Sequence, residues 1–449
     1  YHGPAEERVD VPTRYDRLRM EAGERFEREW TERRFPNAVR IEGWKMADLQ
    51  ATIEAMRAGA PAIHHPQLWA LGEEVYGQGD VLVRSDDHAS DLGPFHYRVK
   101  ECKRSSRVQD YHKLQAALYT RILGLIQGHT PSTFDVVLPF SEETVPYPEV
   151  AELVDRELSK WRSIRDGALK PELPGFGRAE PPWRAYADQQ LEARGDVTLM
   201  AGFTAEVRTK LRAACGVDTI DGTAELSEDR FQEALGPEVG TRLFWQARSC
   251  RERRPYPLPG RSVSLPRRER TIYWDFETSA GFHDGETSHA YMIGTLENGH
   301  YRPFIARGAA EEERMFRDFL AFVGDPSKAH LYQWTKFEIR TLESAARRHP
   351  SLAGPLGELA AACVDLHEIT KAAVVLPLPS YSLKQVAPKF ADFQWRQGKE
   401  VDGHESMVLY WEWLDDGALE PIEKVLVYNE DDVRALEAVD RRLQQPLSG

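Results

Sequence analysis

The chain has 449 residues, with 58 Lys and Arg against 72 Asp and Glu, a formal net charge of −14. A hydrophobic fraction of 41% with 29% charged residues is that of a water-soluble globular protein, and no apolar run approaches the ~20 residues that cross a bilayer. The length exceeds one typical core, so two or three domains are expected. The acidic balance excludes a protein basic all over but not a nucleic-acid ligand, because acid can gather at one centre while base lines another surface.

Taken in chain order, PTRYDRLRMEAGERFEREWTERR has the spacing of an amphipathic helix, and VLVRS and HYRVKEC read as strands between polar turns. HKLQAALYTRILGLIQG is a strongly periodic helix ending on Gly128, followed by a short apolar strand, FDVVLPF. From about residue 146 to 254 the pattern is mostly helical, broken by the Pro/Gly-rich loop KPELPGFGRAEPPW. Within it, two helices joined by a turn at Gly216 have the outline of a helix-hairpin-helix, whose amides can meet phosphates, and also of a plain helical spacer.

The arginine-rich run from Arg248 to Arg270 reads equally as a solvated linker and as a strap for phosphates. Pro255, Pro257, Pro259 and Pro266 mark the linker itself. Beyond it, strands TIYWDFE, YMIGTLE and YRPFIA precede a helix, a strand AHLYQW, a helix KFEIRTLESAARR and a final helix after Tyr428. Strands first, then alternation, predict a mixed sheet flanked by helices, an α/β arrangement. The four cysteines, Cys102, Cys215, Cys250 and Cys363, form no CxxC pair, so they are read as reduced and packed, which fits a cytoplasmic location.

Two sets of carboxylates carry the chemistry. In the first, Asp80 stands at the end of one strand, and Glu101 and Lys103 alternate on the next, so both project from one face while Cys102 faces away. Asp80 and Glu101 can share a hard divalent cation, and Lys103 can position or deprotonate water and stabilise charge on phosphate. Gln115 and Tyr119 lie four apart on the following helix, on one face. His64 and His65, just ahead of Asp80, are a second candidate pair for the site, with His65 a candidate extra metal ligand, and read first as a polar pair at a strand end.

In the second set Asp275 and Glu277 alternate on a strand, and Glu338 and Asp432 come from two helices. Four such carboxylates can hold a pair of Mg²⁺ or Mn²⁺ ions roughly 3.5–4 Å apart. Tyr428 stands one helical turn before Asp432, where its hydroxyl can orient water. Asp431 is expected to be a surface charge at a helix N-terminus, Asp365 a cap or strand-end residue, and Lys384 an exposed helix lysine. Trp395, Trp411 and Trp413 are expected in packing, with base stacking as the alternative.

GDVLVR, YRVKECK and KLQAALY resemble the RecB-like nucleases of the PD-(D/E)XK superfamily, over about residues 15–140. The resemblance implies catalytic roles for Asp80, Glu101 and Lys103, with the Gln115–Tyr119 helical signature, and one or two divalent ions. The family's metal-binding His on the first helix is replaced here by Phe26, with Glu27 beside it as a substitute oxygen ligand.

YWDFET, YQWTKFE, VDLHEIT, LPSYSLKQVAPKF and YNEDDV resemble the Tyr-containing DEDD exonucleases (DEDDy) of the ribonuclease H-like superfamily, nearest to YprB-like domains, over about residues 270–445. Here Glu338 stands where many relatives have Asp, and a longer carboxylate can still reach a metal. The combined order resembles bacterial RecB-family nucleases; the clustered cysteines common in their middle segment are absent, so no iron–sulfur cluster is expected.

The expectation is therefore an N-terminal restriction-endonuclease-like domain over 1–145, a helical linking domain over 146–254 and a ribonuclease H-like domain over 270–449. The implied activity is Mg²⁺/Mn²⁺-dependent phosphodiester hydrolysis on DNA with single-stranded character, without a membrane. At the second site the expected mode is a 3′→5′ exonuclease, serving repair, recombination or defence. RNA processing, and a nucleic-acid scaffold with a decayed site, are the alternatives.

Overall fold

A computed structural model describes residues 10–260, 263, 265–280, 288–398 and 401–446. The chain divides into two compact units: Asp16–Pro171, and a second that joins the segment before Asp16 to Glu172–Gly449.

The first unit is built on helix α1 (Arg14–Arg34), strand β1 (Val39–Arg40), α2 (Met46–Arg57), β2 (Ala62–His64), the hairpin β3 (Gln67–Ala70) and β4 (Val75–Gln78), β5 (Val81–Ser85), β6 (His96–Cys102), α3 (Asp110–Gln127), β7 (Thr133–Val137), β8 (Glu142–Pro146) and α4 (Pro148–Arg165). Six strands form a mixed sheet in the order β1-β2-β5-β6-β7-β8, with β1–β2 and β6–β7 parallel and the other pairs antiparallel. The pleat of β6 decides what faces what. Tyr97 and Val99 enter the core against Ala116, Ala117 and Leu123 of α3, and Glu101, two further on, continues that face. Arg98 and Lys100 point the other way and pair with Asp135 of β7.

The first boundary read from sequence moves. Helix α4, expected in the linking domain, belongs to the first unit because Val150, Val154 and Leu158 join its core.

The second unit begins with α5 (Arg184–Ala193), α6 (Ala205–Cys215), α7 (Glu228–Leu235) and α8 (Pro237–Glu252). Val197, Met200, Phe203, Leu211, Phe231 and Leu243 form a small core among them. These helices are fastened to the rest of the unit: Gln246 Nε2 donates to the Leu376 carbonyl at 2.6 Å, and Ala201 N–H to the Leu378 carbonyl at 2.9 Å. The expected helix-hairpin-helix is not formed. Gly216 does end α6 with φ +71, but a single 3₁₀ turn, Asp221–Glu225, follows, and the next α-helix starts only after the Ser227 cap.

Much of the arginine-rich run is exposed, as a solvated linker would be, but several of its guanidiniums are already engaged within the protein. Arg248 pairs with Glu252, Arg267 with Asp440 and Arg270 with Glu297, while Arg268 donates to backbone carbonyls. Arg261, Ser262 and Ser264 of that run lie outside the described residues.

After β9 (Tyr256–Pro257) come β10 (Arg270–Ser279), β11 (His289–Glu297), β12 (His300–Ile305), α9 (Glu312–Val323), β13 (Ala329–Gln333), α10 (Phe337–Arg348), α11 (Ala353–Ala361), β14 (Cys363–Asp365), α12 (Leu366–Ala373), β15 (Val374–Val375), α13 (Leu383–Phe390), α14 (Gly403–Asp416) and α15 (Leu419–Leu443). The five-stranded sheet runs β12-β11-β10-β13-β14, antiparallel on the β11 side of β10 and parallel on the β13 side, as a mixed sheet was expected to be. Strand β10 has two faces of different character. Ile272, Trp274 and Phe276 pack with Phe316, Phe319 and Leu342, each large side chain contributing about 1.5–3 kcal/mol by burial. Tyr273 packs with Val433, Leu436 and Val439 of α15 on the opposite face, and the same parity carries Asp275 and Glu277.

The final helix starts at Leu419, earlier than expected, so Tyr428 lies in its middle. Its apolar stripe, Ile422, Val425, Val433, Leu436, Val439 and Leu443, repeats at helical spacing and buries Tyr428, Asn429 and Asp432 along with it. Among the described residues no helix is long and apolar enough to cross a membrane.

Candidate functional site

Strand β10 and helix α15 bring Asp275, Glu277 and Asp432 together. Their carboxylate oxygens include one from each residue, all within 4.8 Å of one another. Glu338, the second residue of α10, joins through a hydrogen bond with Asp275, and its Oε2 is buried without a partner. The register of β10 and β11 shifts after Glu277, a bulge of the kind that re-aims side chains beside a site. Tyr291, in the shifted stretch, shares a hydrogen bond at 2.6 Å with Ser406, whose hydroxyl donates to Glu277 at 3.0 Å.

Burial and mutual repulsion govern the protonation of this set. Burial pushes Glu277 up to about 8, with the charge of Asp432 adding to it, and burial likewise brings Glu338 to about 8. Burial raises Asp275 well above the usual carboxylate range, with Asp432, Glu277 and Glu338 reinforcing it. Asp432 is raised less, to about 6: burial lifts it, while the Trp395 indole N–H, 2.7 Å from Oδ1, and the Lys384 ammonium favour its charged form. Carboxylates held close, dehydrated and with an orphaned oxygen, are suited to hard divalent cations, which take oxygen ligands; the residues fit such an ion.

Tyr428 is 7% exposed and donates its hydroxyl to Asp432. Burial and the surrounding carboxylates raise its phenol far above the ordinary value, so it stays protonated. Lys384 is the exposed helix lysine that was expected, and its ammonium lies 4.5 Å from the centroid of the Tyr428 ring. Asp431 is not a helix-end surface charge. It is 2% exposed, in the middle of α15, and accepts from the backbone and guanidinium of Arg396, both at 2.7 Å. Asp365 caps α12 and ends β14 as expected. Trp411 is buried and donates to Ser279; Trp395 packs against the core, as expected, and also donates to Asp432.

Asn429 has no counterpart in the sequence reading. It is fully buried, and its Nδ2 donates to Asp275 at 3.2 Å and to Glu277 at 3.3 Å, while its Oδ1 accepts from the Tyr301 hydroxyl at 3.0 Å. Gly294 makes room for it: a Cβ there would lie 1.6 Å from Asn429 Oδ1. Its position three residues before Asp432 puts it on the same helical face, which was a readable signal. Ser406 and Trp395 come from remote elements and offered none.

In the first unit, Asp80, Glu101 and Lys103 also converge. Asp80 Oδ2 accepts from Cys102 N–H at 2.7 Å, Glu101 Oε1 accepts from Asp80 N–H at 3.3 Å, and Lys103 Nζ lies 2.9 Å from Glu101 and 3.6 Å from Asp80. Burial, then the charge of Asp80, pushes Glu101 up to about 8. Burial opposes the Lys103 charge, but Glu101 and Asp80 outweigh it and raise its pKa. Gln115 Nε2 donates to the Tyr119 hydroxyl at 3.2 Å, and the Tyr119 phenol, raised first by burial, also feels Glu101. Its ring lies on Gly77, where a Cβ would sit 2.4 Å from the ring. Glu27 meets His64 and His65 rather than standing alone. The four cysteines are all free.

The C-terminal sheet with an acidic cluster at β10 and α15 has the character of a nuclease-type domain. Residues 272–444 match the family model RNase_H_2 of the RNase_H superfamily. That segment is a ribonuclease H-like domain, and its superfamily implies a metal-dependent hydrolase acting on nucleic acid. No curated protein matches the chain.

Proposed function

We propose that this chain is a Mg²⁺- or Mn²⁺-dependent nuclease with two active sites, acting on DNA with single-stranded character. The C-terminal site is a 3′→5′ exonuclease of the Tyr-containing DEDD type, using Asp275, Glu277, Glu338, Tyr428 and Asp432. The N-terminal site, in a PD-(D/E)XK-type domain, uses Asp80, Glu101, Lys103, Gln115 and Tyr119. The observation that carries the reading is the convergence of Asp275, Glu277 and Asp432 within 4.8 Å, with Glu338 bonded to the first of them.

Asp275, Glu277, Glu338 and Asp432 would hold the ions of the C-terminal site, and Asp80 and Glu101 that of the N-terminal one. When bound, such ions activate water and neutralise charge on the phosphate and the departing 3′ oxygen. Asn429 holds Asp275 and Glu277 at a fixed spread, and Trp395 holds Asp432. Tyr428, kept protonated, orients the attacking water by hydrogen bonding and does not act as a base. Lys384 and Lys103 each set a cation beside their carboxylates, where charge on the phosphate would develop.

The test is digestion of end-labelled DNA and RNA, single- and double-stranded, with Mg²⁺, Mn²⁺ or EDTA. Mononucleotide release from the 3′ end of single-stranded DNA, lost in EDTA and in Asp275→Asn, is expected. Preferential digestion of RNA would replace the substrate assignment, and metal-independent cleavage would refute the reading.

A further inference from the structure

Outside both carboxylate sets, the first unit holds a third cluster of metal-ligating groups. Glu27 comes from α1, His64 is the last residue of β2, and His65 follows it. Neighbouring residues of a strand face opposite sides, so two adjacent histidines would ordinarily diverge. They converge here because His65 leaves the strand with φ +57, a left-handed conformation that few non-glycine residues adopt. The turn lays its ring 4.0 Å from that of His64, centroid to centroid.

Both Nε2 atoms then reach one oxygen, Glu27 Oε1, at 2.8 Å from His64 and 2.7 Å from His65. One ligand atom from each of the three lies within 4.8 Å of the others. The His64 and Glu27 side chains are 7% and 13% exposed, and His65 is 31% exposed. The cluster is thus closed on the His64 side and open at His65.

Two imidazole nitrogens and a carboxylate oxygen are a set of three protein ligands that leaves a coordination position free. Imidazole favours first-row transition dications, whereas Mg²⁺ prefers oxygen alone. We propose that Glu27, His64 and His65 form a binding site for a transition dication of the Zn²⁺ type, separate from the carboxylate centre of Asp80 and Glu101. On binding, the ion takes the place of the Nε2 protons that face Glu27 Oε1; each proton passes to Nδ1 of the same ring or to water, and each histidine then presents its Nε2 lone pair. The His65 N–H donates to the Asp80 carbonyl at 2.9 Å, so the ion would adjoin the first carboxylate centre through a shared turn. Such a site would take its ion whether or not the chain hydrolyses nucleic acid.

The test is Zn²⁺ alone, titrated calorimetrically into the full chain after EDTA treatment, with bound metal counted by mass spectrometry and Mg²⁺ as the comparison. The informative variants are Glu27→Gln and His65→Asn, the latter chosen because asparagine tolerates positive φ; matched melting curves in EDTA check that each is folded. Each is expected to lose one equivalent of Zn²⁺, or to bind it at least about tenfold more weakly, while Asp80→Asn and Asp275→Asn keep it. Mg²⁺ is expected not to compete for that equivalent. Equal Zn²⁺ binding by wild type and both cluster variants would overturn the proposal. So would loss of the ion in Asp80→Asn with retention in Glu27→Gln, which would place it among the carboxylates.

Discussion

Replacing Asp275 by asparagine is expected to make the ion-free protein more stable while destroying the C-terminal activity. Asp275, Glu277 and Asp432 have oxygens within 4.8 Å of one another, a separation at which two full charges repel by about 3.5 kcal/mol at an effective dielectric of 20. The folded protein escapes by holding Asp275 protonated, its pKa raised by burial and by its neighbours from an ordinary 3.8. Keeping such a group protonated at pH 7 costs up to about 4 kcal/mol.

Asparagine is neutral, nearly the same size, and can still accept from Asn429, whose Nδ2 is 3.2 Å from Asp275 Oδ2. The expected gain is about 1–4 kcal/mol at pH 7 in EDTA, a rise of several degrees in the melting of the second unit by scanning calorimetry. The sign follows from the raised folded-state pKa. The penalty is absent below the ordinary value and grows as pH rises toward the folded one, so the variant's advantage must shrink as pH falls to about 4. Saturating Mn²⁺ should stabilise wild type more than the variant, because the ion takes over the charge that protonation otherwise removes. An Asp275→Asn protein that melts below wild type in EDTA at pH 7, or that gains as much from Mn²⁺, would refute the reasoning.

The two proposed sites are separable by a crossed pair of variants. Lys103→Ala should abolish any cleavage that belongs to the first unit and spare 3′→5′ trimming, whereas Tyr428→Phe should weaken trimming alone; equal loss of one activity in both would show a single site. Trp395→Phe removes the N–H bonded to Asp432, so metal affinity should fall about 10–100-fold. The acid limb of the pH–rate profile should also move to higher pH, since the lost bond favoured the ionised form; an unshifted limb would deny Trp395 its role. Gly294→Ala drives a Cβ to 1.6 Å from Asn429 Oδ1. It should cost about 1–3 kcal/mol by overpacking and reduce trimming, and a crystal structure with Asn429 undisturbed would contradict this.

What could be read from the sequence was whatever depends on local periodicity. Strand alternation placed Asp275 with Glu277 and Glu101 with Lys103 on common faces, and the four-residue helical step placed Tyr428 with Asp432 and Gln115 with Tyr119. The mixed C-terminal sheet followed from the order of its elements. Local pattern erred at the start of α15, which begins at Leu419 without a side-chain cap and with only Glu420 and Pro421 to mark its first turn, and that placed Asp431 wrongly at a helix end. It erred again at Gly216, where the turn was legible but the 3₁₀ stretch after it was not. The tertiary structure alone decided which polar groups hold the carboxylates, because Trp395, Ser406 and Tyr301 approach from elements distant in sequence. It also overrode the alternation at His64 and His65, where one positive φ turns two rings onto the same glutamate: a strand period describes only residues that remain in the strand.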